Sequence, residues 1–179
     1  MNIWKEGLKK IVIEEIKKQL RQKFDLPLDQ KIIMVNTYGG MHLDKGWQFI
    51  VDLQKRLPHY YWLLVGQKNR YLDQALLQQY MKASDVFLFP SLAESFGMTP
   101  VEAICQGTPV VAFPVGVIPE LIKHKVHGYI AKYKNLKDLE VGLKYVLTHK
   151  MKKISIFKYS IDTMTKNYLK IYENLYSQN

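Results

Sequence analysis

Short apolar runs alternate along the chain with longer segments in which apolar residues recur every three or four positions. Five runs have the composition of strands in a parallel sheet, at 31–35, 60–65, 85–89, 110–113 and 129–130, the last as a short edge strand. Helical spacing follows at 47–57, 71–83, 99–107 and 136–148, with another helix opening at Pro119. Because hairpin signals and repeats are absent, this alternation predicts an α/β fold, a Rossmann-like parallel sheet flanked by helices.

Two further helices are predicted at the ends of this unit, an opening helix within 1–26 and a closing helix at 160–177. Pro27 is expected to end the first and Ser160 to cap the second. Each has an apolar stripe, formed by Trp4, Leu8, Val12, Ile16, Leu20 and Phe24 in the first and by Ile161, Met164, Tyr168, Tyr172 and Leu175 in the second. With 179 residues, 47% of them hydrophobic, the chain can bury one core, and we expect a single domain over 1–179.

The composition favours a reducing compartment. Cys105 is the only cysteine, which excludes an internal disulfide, and we expect it to be a core residue rather than a nucleophile. No apolar run approaches the roughly 20 residues of a membrane span, and the polar start is unlike a secretion signal. A cytoplasmic protein is expected. The five histidines lack metal-ligand spacing and are expected on the surface: His42, His59, His124, His127 and His149.

The net charge of +10 is concentrated in the C-terminal third, where residues 123–179 carry 12 Lys/Arg and 4 Asp/Glu. Two interpretations remain open: ordinary solvation by lysine, or a surface that contacts an anionic membrane at its inner face. Nucleic acid is not expected as a partner, because no zinc finger, stacking motif or arginine cluster accompanies the charge.

Candidate chemistry follows the apolar run at 85–89. Glu94-Ser-Phe-Gly-Met-Thr-Pro-Val-Glu102 places two carboxylates around a glycine and a helix start, and Gly39-Gly40 follows the run at 31–35. Ligands of such sheets bind beyond the carboxyl ends of the strands, where helix N-termini attract phosphate. Each feature also has a purely structural explanation, since Glu102 can complete a capping box with Thr99 and the glycines can be plain turns. Their coincidence at one sheet edge favours a phosphorylated sugar as ligand.

In order, these segments resemble the C-terminal, donor-binding domain of retaining glycosyltransferases of the GT-B fold, of the group 1 or family 4 type. The resemblance extends from residue 21 to 176 and rests on the Glu-x7-Glu spacing, on Asp44-Lys45-Gly46, on Gly107-Thr-Pro-Val-Val and Pro119-Glu120, and on the closing helix. It implies a single C-terminal half of a GT-B enzyme that transfers a hexose from a UDP-, GDP- or ADP-sugar to a glycan or lipid-linked acceptor in polysaccharide biosynthesis. No metal is required in such a transfer.

The resemblance also implies roles for individual residues. Glu94 would be the catalytic residue, touching the donor hexose near its anomeric carbon, and Glu102 would bind the two ribose hydroxyls. Lys45 would face the diphosphate as a cation. The remaining donor-binding positions are loop and helix-start residues with backbone N–H groups near the phosphates: Gly39, Gly40, Ser95, Phe96, Gly97, Met98 and Thr99.

Three departures from the family pattern narrow this expectation. Gly40 stands where the family has an arginine, a loss of about 1.5–3 kcal/mol of charge-assisted phosphate binding unless another cation substitutes. Residues 67–84 leave room for one helix where the family adds a helix and a strand that hold the nucleobase. The N-terminal domain, which forms half of the cleft, is absent.

Four readings stay open: a subunit that pairs with a separate N-terminal chain, a piece of a longer enzyme, a non-catalytic scaffold or interaction subunit derived from a GT-B enzyme, and a sugar-phosphate isomerase or epimerase without a visible base. A lone donor domain cannot exclude water from the sugar or position an acceptor, so little activity is expected from the chain alone.

Overall fold

The computed structural model describes residues 3–38, 40, 42–66, 72–154 and 160–177. Five strands form one parallel sheet in the order β2-β1-β3-β4-β5. Their bounds are β1 Ile32–Asn36, β2 Tyr61–Val65, β3 Val86–Phe89, β4 Val110–Ala112 and β5 Gly128–Ile130. The predicted Rossmann-like sheet is therefore confirmed, with every strand within two residues of its expected position and β5 at an edge.

Seven helices accompany these strands in the described part of the chain. They are α1 Ile3–Lys23, α2 Trp47–Arg56, α3 Gln74–Ala83, α4 Met98–Cys105, α5 Ile118–Leu121, α6 Leu136–Thr148 and α7 Ile161–Tyr176. Helices α2 and α6 cover one face of the sheet, and α3, α4 and α5 cover the other. The Asn135 side chain caps α6 by accepting a hydrogen bond from the Asp138 N–H.

The two layers follow from the period of two along each strand. In β3, Val86 and Leu88 pack with α2 and α6, whereas Phe87 and Phe89 pack with α4 and α5. All four side chains are buried, because helices lie on both faces of a central strand. The apolar run 60–65, in contrast, was expected to be fully buried. It forms edge strand β2, where only Val65 is buried, because one flank of β2 has no neighbouring strand among the described residues.

Asp85 fixes α1 to the amino end of the sheet. Its carboxylate accepts hydrogen bonds from Lys17 Nζ at 2.6 Å, Arg21 Nη2 at 2.7 Å and the Ile32 N–H at 2.7 Å. Arg21 also donates to the carbonyl oxygen of Ala83 at 3.0 Å. These contacts hold the C-terminal part of α1, which ends at Lys23, three residues before the expected limit.

Several expected apolar contacts are absent among the described side chains. Val12 and Ile16 of the predicted α1 stripe are exposed. Cys105 is exposed at the end of α4, which corrects the expectation of a core cysteine. Ser160 caps α7 as expected by accepting from the Thr163 N–H, but none of the described residues of α7 is buried. No helix in the described ranges combines the length and apolar composition needed to cross a membrane.

Candidate functional site

The predicted site residues lie at the carboxyl edge of the sheet, where β1 and β3 are neighbours. The chain leaves β1 toward α2 and β3 toward α4, so the two connections start side by side at the point where the strand order reverses. Open α/β sheets bind ligands in the crevice at such a point. The loops are joined directly, because the Leu92 N–H donates to the Asp44 carbonyl oxygen at 2.8 Å. A Cβ at Gly46 would lie 2.0 Å from the Pro90 carbonyl oxygen, so only glycine permits this approach.

Glu94 is held by side chains from both loops. Its Oε1 accepts hydrogen bonds from Lys45 Nζ at 2.8 Å and from Ser91 Oγ at 2.8 Å. The ion pair is partly shielded, with 28% of the Lys45 side chain and 14% of the Glu94 side chain exposed. Asp44 lies farther away, with its carboxylate 3.9 Å from Lys45 Nζ. The first motif carboxylate therefore has a fixed position opposite the start of α4.

The start of α4 differs from the expected capping box. Gly97 is the N-cap residue, with φ of 91° in the left-handed region, and no described side chain caps the helix. Thr99 already lies inside the helix, so it cannot cap it, and Glu102 is not an N3 capping partner. In the first turn Met98 and Thr99 carry backbone N–H groups, and Gly97 at the N-cap position has no side chain to accept from them. Uncapped N–H groups at a helix N-terminus can bind anions.

Tyr38 connects Lys45 with this helix start. Its hydroxyl donates to Thr99 Oγ1 at 2.9 Å, and Lys45 Nζ lies 5.6 Å from the centre of its ring. The residue has φ of 50°, which is uncommon for a non-glycine residue and occurs at turns and functional sites. Burial raises the pKa of Tyr38 to about 12, so the hydroxyl remains a hydrogen-bond donor near neutral pH.

A third loop supports the residues between Glu94 and α4. The Phe96 carbonyl oxygen accepts a hydrogen bond from the Val117 N–H at 2.7 Å. A Cβ at Gly116 would lie 2.3 Å from the same oxygen, so the loop between β4 and α5 packs directly against residues 94–97. Ser95 and Phe96 themselves are exposed.

These residues surround a cleft of about 380 Å³. Five of the predicted site residues line it: Lys45, Glu94, Gly97, Met98 and Thr99. Gly40 lies beside His42, which also lines the cleft. Gly39 lies outside the described residues. The structure thus brings the predicted cation, the predicted catalytic carboxylate and the start of α4 around one space.

Glu102 occupies a separate position on α4. Its Oε1 accepts a hydrogen bond from Gln74 Nε2 at 3.1 Å, and the two residues lie on neighbouring helices. Glu102 does not line the cleft that contains Glu94, so the two motif carboxylates face different surroundings. A ligand that contacts both must extend along α4 toward α3.

Four side chains at this site were not among the residues predicted from the sequence: Tyr38, His42, Ser91 and Gln74. Tyr38 and Ser91 lie just beyond the carboxyl ends of β1 and β3, and that position is the signal that could have identified them. Gln74 carries no comparable signal, because its contact with Glu102 spans 28 positions. His42 was expected to be an ordinary surface residue; it is exposed, but it lines the cleft. Within the described ranges, no three His, Cys, Asp or Glu side chains gather as a metal site requires.

Comparison with known proteins links this arrangement to one family. The family described as Glycosyl transferases group 1 matches residues 68–161, more than half of the chain. An uncharacterized glycosyltransferase of Methanocaldococcus jannaschii is 35% identical over 106 residues, which cover 54% of this chain and 27% of that protein. The chain therefore spans well under two thirds of the length of that relative.

Solved structures agree with the fold. The C-terminal domain of a glycosyl transferase group 1 family protein from Francisella tularensis superposes with a TM-score of 0.60 at 19% identity, covering 85% of this chain and 92% of that one. The Anabaena protein HepE, solved in complex with UDP-glucose, superposes with a TM-score of 0.65 at 22% identity, covering 91% of this chain and 53% of that one. The predicted fold, the C-terminal half of a GT-B architecture, is confirmed.

Proposed function

The chain belongs to the group 1 glycosyl transferases, and on that premise we propose that it is the donor-binding half of a retaining hexosyltransferase. The donor is a nucleoside diphosphate sugar, and the acceptor is a glycan or a lipid-linked glycan. The observation that carries this proposal is the cleft in which Lys45 and Glu94 face the open start of α4. A diphosphate fits between a lysine ammonium and helical N–H groups, since both are donors to phosphate oxygens.

The residues around the cleft would have different roles in the reaction. Lys45 and the N–H groups of Met98 and Thr99 would stabilise the negative charge that develops on the leaving diphosphate. Protein donors alone can supply this stabilisation, so we propose a transfer that needs no metal. Glu94, held by Ser91 and Lys45, would stand beside the hexose near its anomeric carbon.

Donor binding also changes the Lys45–Glu94 ion pair. An ammonium has three N–H donors, so Lys45 can donate to the diphosphate and to the Glu94 carboxylate at the same time. This sharing frees part of the Glu94 carboxylate for the sugar. Glu102, with Gln74 at 3.1 Å, would accept hydrogen bonds from the ribose hydroxyls farther along α4.

We propose that the complete enzyme also includes an N-terminal half. We propose that this half, on a separate chain or in a longer protein, closes over the cleft, excludes water and supplies the acceptor site. The exposed apolar side chains of α7, among them Tyr168 and Tyr172, form a surface for it. We place the enzyme in the cytoplasm, where it serves polysaccharide synthesis at the inner membrane face and the lysine-rich residues 123–179 contact anionic lipid.

Calorimetric titration tests the donor site directly. The folded chain is titrated with UDP, GDP and ADP and with UDP-glucose, GDP-glucose and ADP-glucose, up to millimolar concentration. We expect saturable binding of at least one nucleotide, because the cleft is already formed. If the chain stays folded and none of the six ligands binds, the proposed donor site is wrong.

A second candidate function is a non-catalytic subunit that keeps the fold as a scaffold. It is favoured by the pairing of Lys45 with Glu94 and by the missing side chain at Gly40, which together leave few cationic groups for a diphosphate. Glu94→Gln separates the two functions in cells. A transferase loses its product when the carboxylate is removed, whereas a scaffold retains its role.

A further inference from the structure

The imidazole of His42 occupies the space beside Gly40. A Cβ placed on Gly40 would lie 3.3 Å from His42 Nε2 and 3.7 Å from Cδ2. Because Gly40 has no side chain, the ring fills the room that any larger residue at position 40 would need. His42 also lines the cleft that contains Lys45 and Glu94.

The position of His42 is set by the turn that carries Lys45. The His42 carbonyl oxygen accepts hydrogen bonds from the Lys45 N–H at 3.2 Å and from the Trp47 N–H at 3.3 Å. The second bond joins residue 42 to the first residue of α2. The two side chains with basic nitrogens that line the cleft, His42 and Lys45, are therefore carried by one short hydrogen-bonded turn.

The cleft has too little positive charge to balance a bound anion. The described groups that line the cleft with His42 are the Lys45 ammonium, the Asp44 and Glu94 carboxylates, and the Tyr38 hydroxyl; the first turn of α4 adds Met98 and Thr99, which carry no charge. The two carboxylates outnumber the one ammonium, and Glu94 already pairs with it. A diphosphate brings two more negative charges, so one additional cation would strengthen its binding markedly.

We propose that His42, in its protonated form, supplies that cation and binds a phosphate of the donor beside Gly40. The inference rests on the proposed donor site and names a further binding residue within it. A bound phosphate favours the protonated imidazole over the neutral one, so we expect donor binding to strengthen as the pH falls. A neutral imidazole can still donate one hydrogen bond, but a charge-assisted bond is roughly twice as strong.

The test compares wild type, H42Q and the control H59Q at pH 6 and pH 8. His59 is also exposed and precedes β2, at the opposite edge of the sheet. The ligand is whichever of UDP-glucose, GDP-glucose and ADP-glucose binds wild type most tightly, because these molecules carry no phosphate monoester that titrates near pH 6. We expect H42Q to weaken binding about 10-fold at pH 6 and about 3-fold or less at pH 8, with H59Q like wild type at both.

A double variant tests whether a cation at this position is what donor binding requires, because it should regain affinity that H42Q has lost. Gly40 does not have a positive φ, so G40R is compatible with the backbone, but its Cβ meets the imidazole. In H42Q/G40R the arginine should restore wild-type affinity at pH 6 and remove the pH dependence, because a guanidinium stays charged. Equal affinity of wild type and H42Q at both pH values would overturn the role of His42. Failure of wild type to bind any of the three sugars would instead reject the donor site itself.

Discussion

Lys45 and Glu94 form a 2.8 Å ion pair between two loops, although the residues lie 49 positions apart in the chain. The pair joins the group expected to bind the diphosphate to the group expected to act at the sugar. Each therefore neutralises the other until a ligand enters, and a bound phosphate must compete with Glu94 for the ammonium.

Substitution K45A should weaken nucleotide binding. Removal of the ammonium deletes a charge-assisted contact and leaves Glu94 as an uncompensated negative charge, so we expect a loss of about 2 kcal/mol, roughly 30-fold in Kd for UDP. Calorimetry of K45A and of K144A measures this loss. Lys144 pairs with Glu140 on the surface of α6 and serves as the control. An unchanged Kd in K45A would remove Lys45 from the site.

Substitution E94Q should separate binding from transfer. The neutral amide releases Lys45 and removes a negative charge from the cleft, so UDP should bind as well as to wild type or about 3-fold more tightly. Transfer by the enzyme completed with its N-terminal half should fall at least about 100-fold, because Glu94 acts only at the sugar. Parallel titrations and product assays measure both effects. Weaker UDP binding in E94Q would show that the carboxylate itself supports the nucleotide.

Substitution G97A should destabilise the start of α4. Gly97 has φ of 91°, which costs a residue with a Cβ about 1–2 kcal/mol, whereas the nearest atom to that Cβ lies at 3.5 Å and leaves room for it. Backbone strain is therefore the only expected cause. Urea unfolding of G97A and of wild type measures the difference. Equal stability of the two proteins would contradict the left-handed N-cap.

Asp85 should make the fold sensitive to acid. Burial alone raises the pKa of Asp85, but the Lys17 ammonium, the Ile32 N–H and Arg21 outweigh it and hold the pKa below its ordinary value of 3.8. The ionised form therefore stabilises the fold above about pH 4, and this stability is lost as the pH falls through the folded pKa. Urea unfolding between pH 7 and pH 2 should show the loss in wild type.

The variant D85N isolates this effect. It should be about 3 kcal/mol less stable than wild type at pH 7, because Lys17 and Arg21 lose their partner, and its stability should change less at low pH. Donor binding at the opposite edge of the sheet should be unaffected in the folded variant. If the stability of wild type and that of D85N fell by the same amount between pH 7 and pH 2, the assignment to Asp85 would be wrong.

Local sequence patterns predicted the strands well because burial on both faces produces continuous apolar runs. The run at 85–89 became β3 with every residue buried. The run at 60–65 looked the same but formed the half-buried edge strand β2. Strand order decides this difference, and strand order depends on contacts across the whole chain. The exposure of Val12 and Ile16 was not predictable either, since a helical stripe does not reveal which of its residues meet a packing partner.

The site was predictable where it depends on position along a strand. Residues after β1 and β3 share an edge in any parallel sheet, so Lys45 and Glu94 could be placed together. The hydrogen bond from Tyr38 to Thr99 could not be predicted, because it depends on the left-handed backbone of Tyr38 and on how its half-buried ring packs. The capping box failed for a related reason, since the N-cap is Gly97, two residues before Thr99.

Hydrogen–deuterium exchange with and without the tightest-binding sugar nucleotide tests the central claim most directly, because it locates the bound ligand on the chain. We expect slower exchange at residues 42–46 and 94–99, which surround the cleft, and unchanged exchange in the turn at 124–127, at the opposite edge of the sheet. Saturating ligand that leaves 42–46 and 94–99 unchanged, or that protects the opposite edge instead, would contradict a donor site between Lys45, Glu94 and the start of α4.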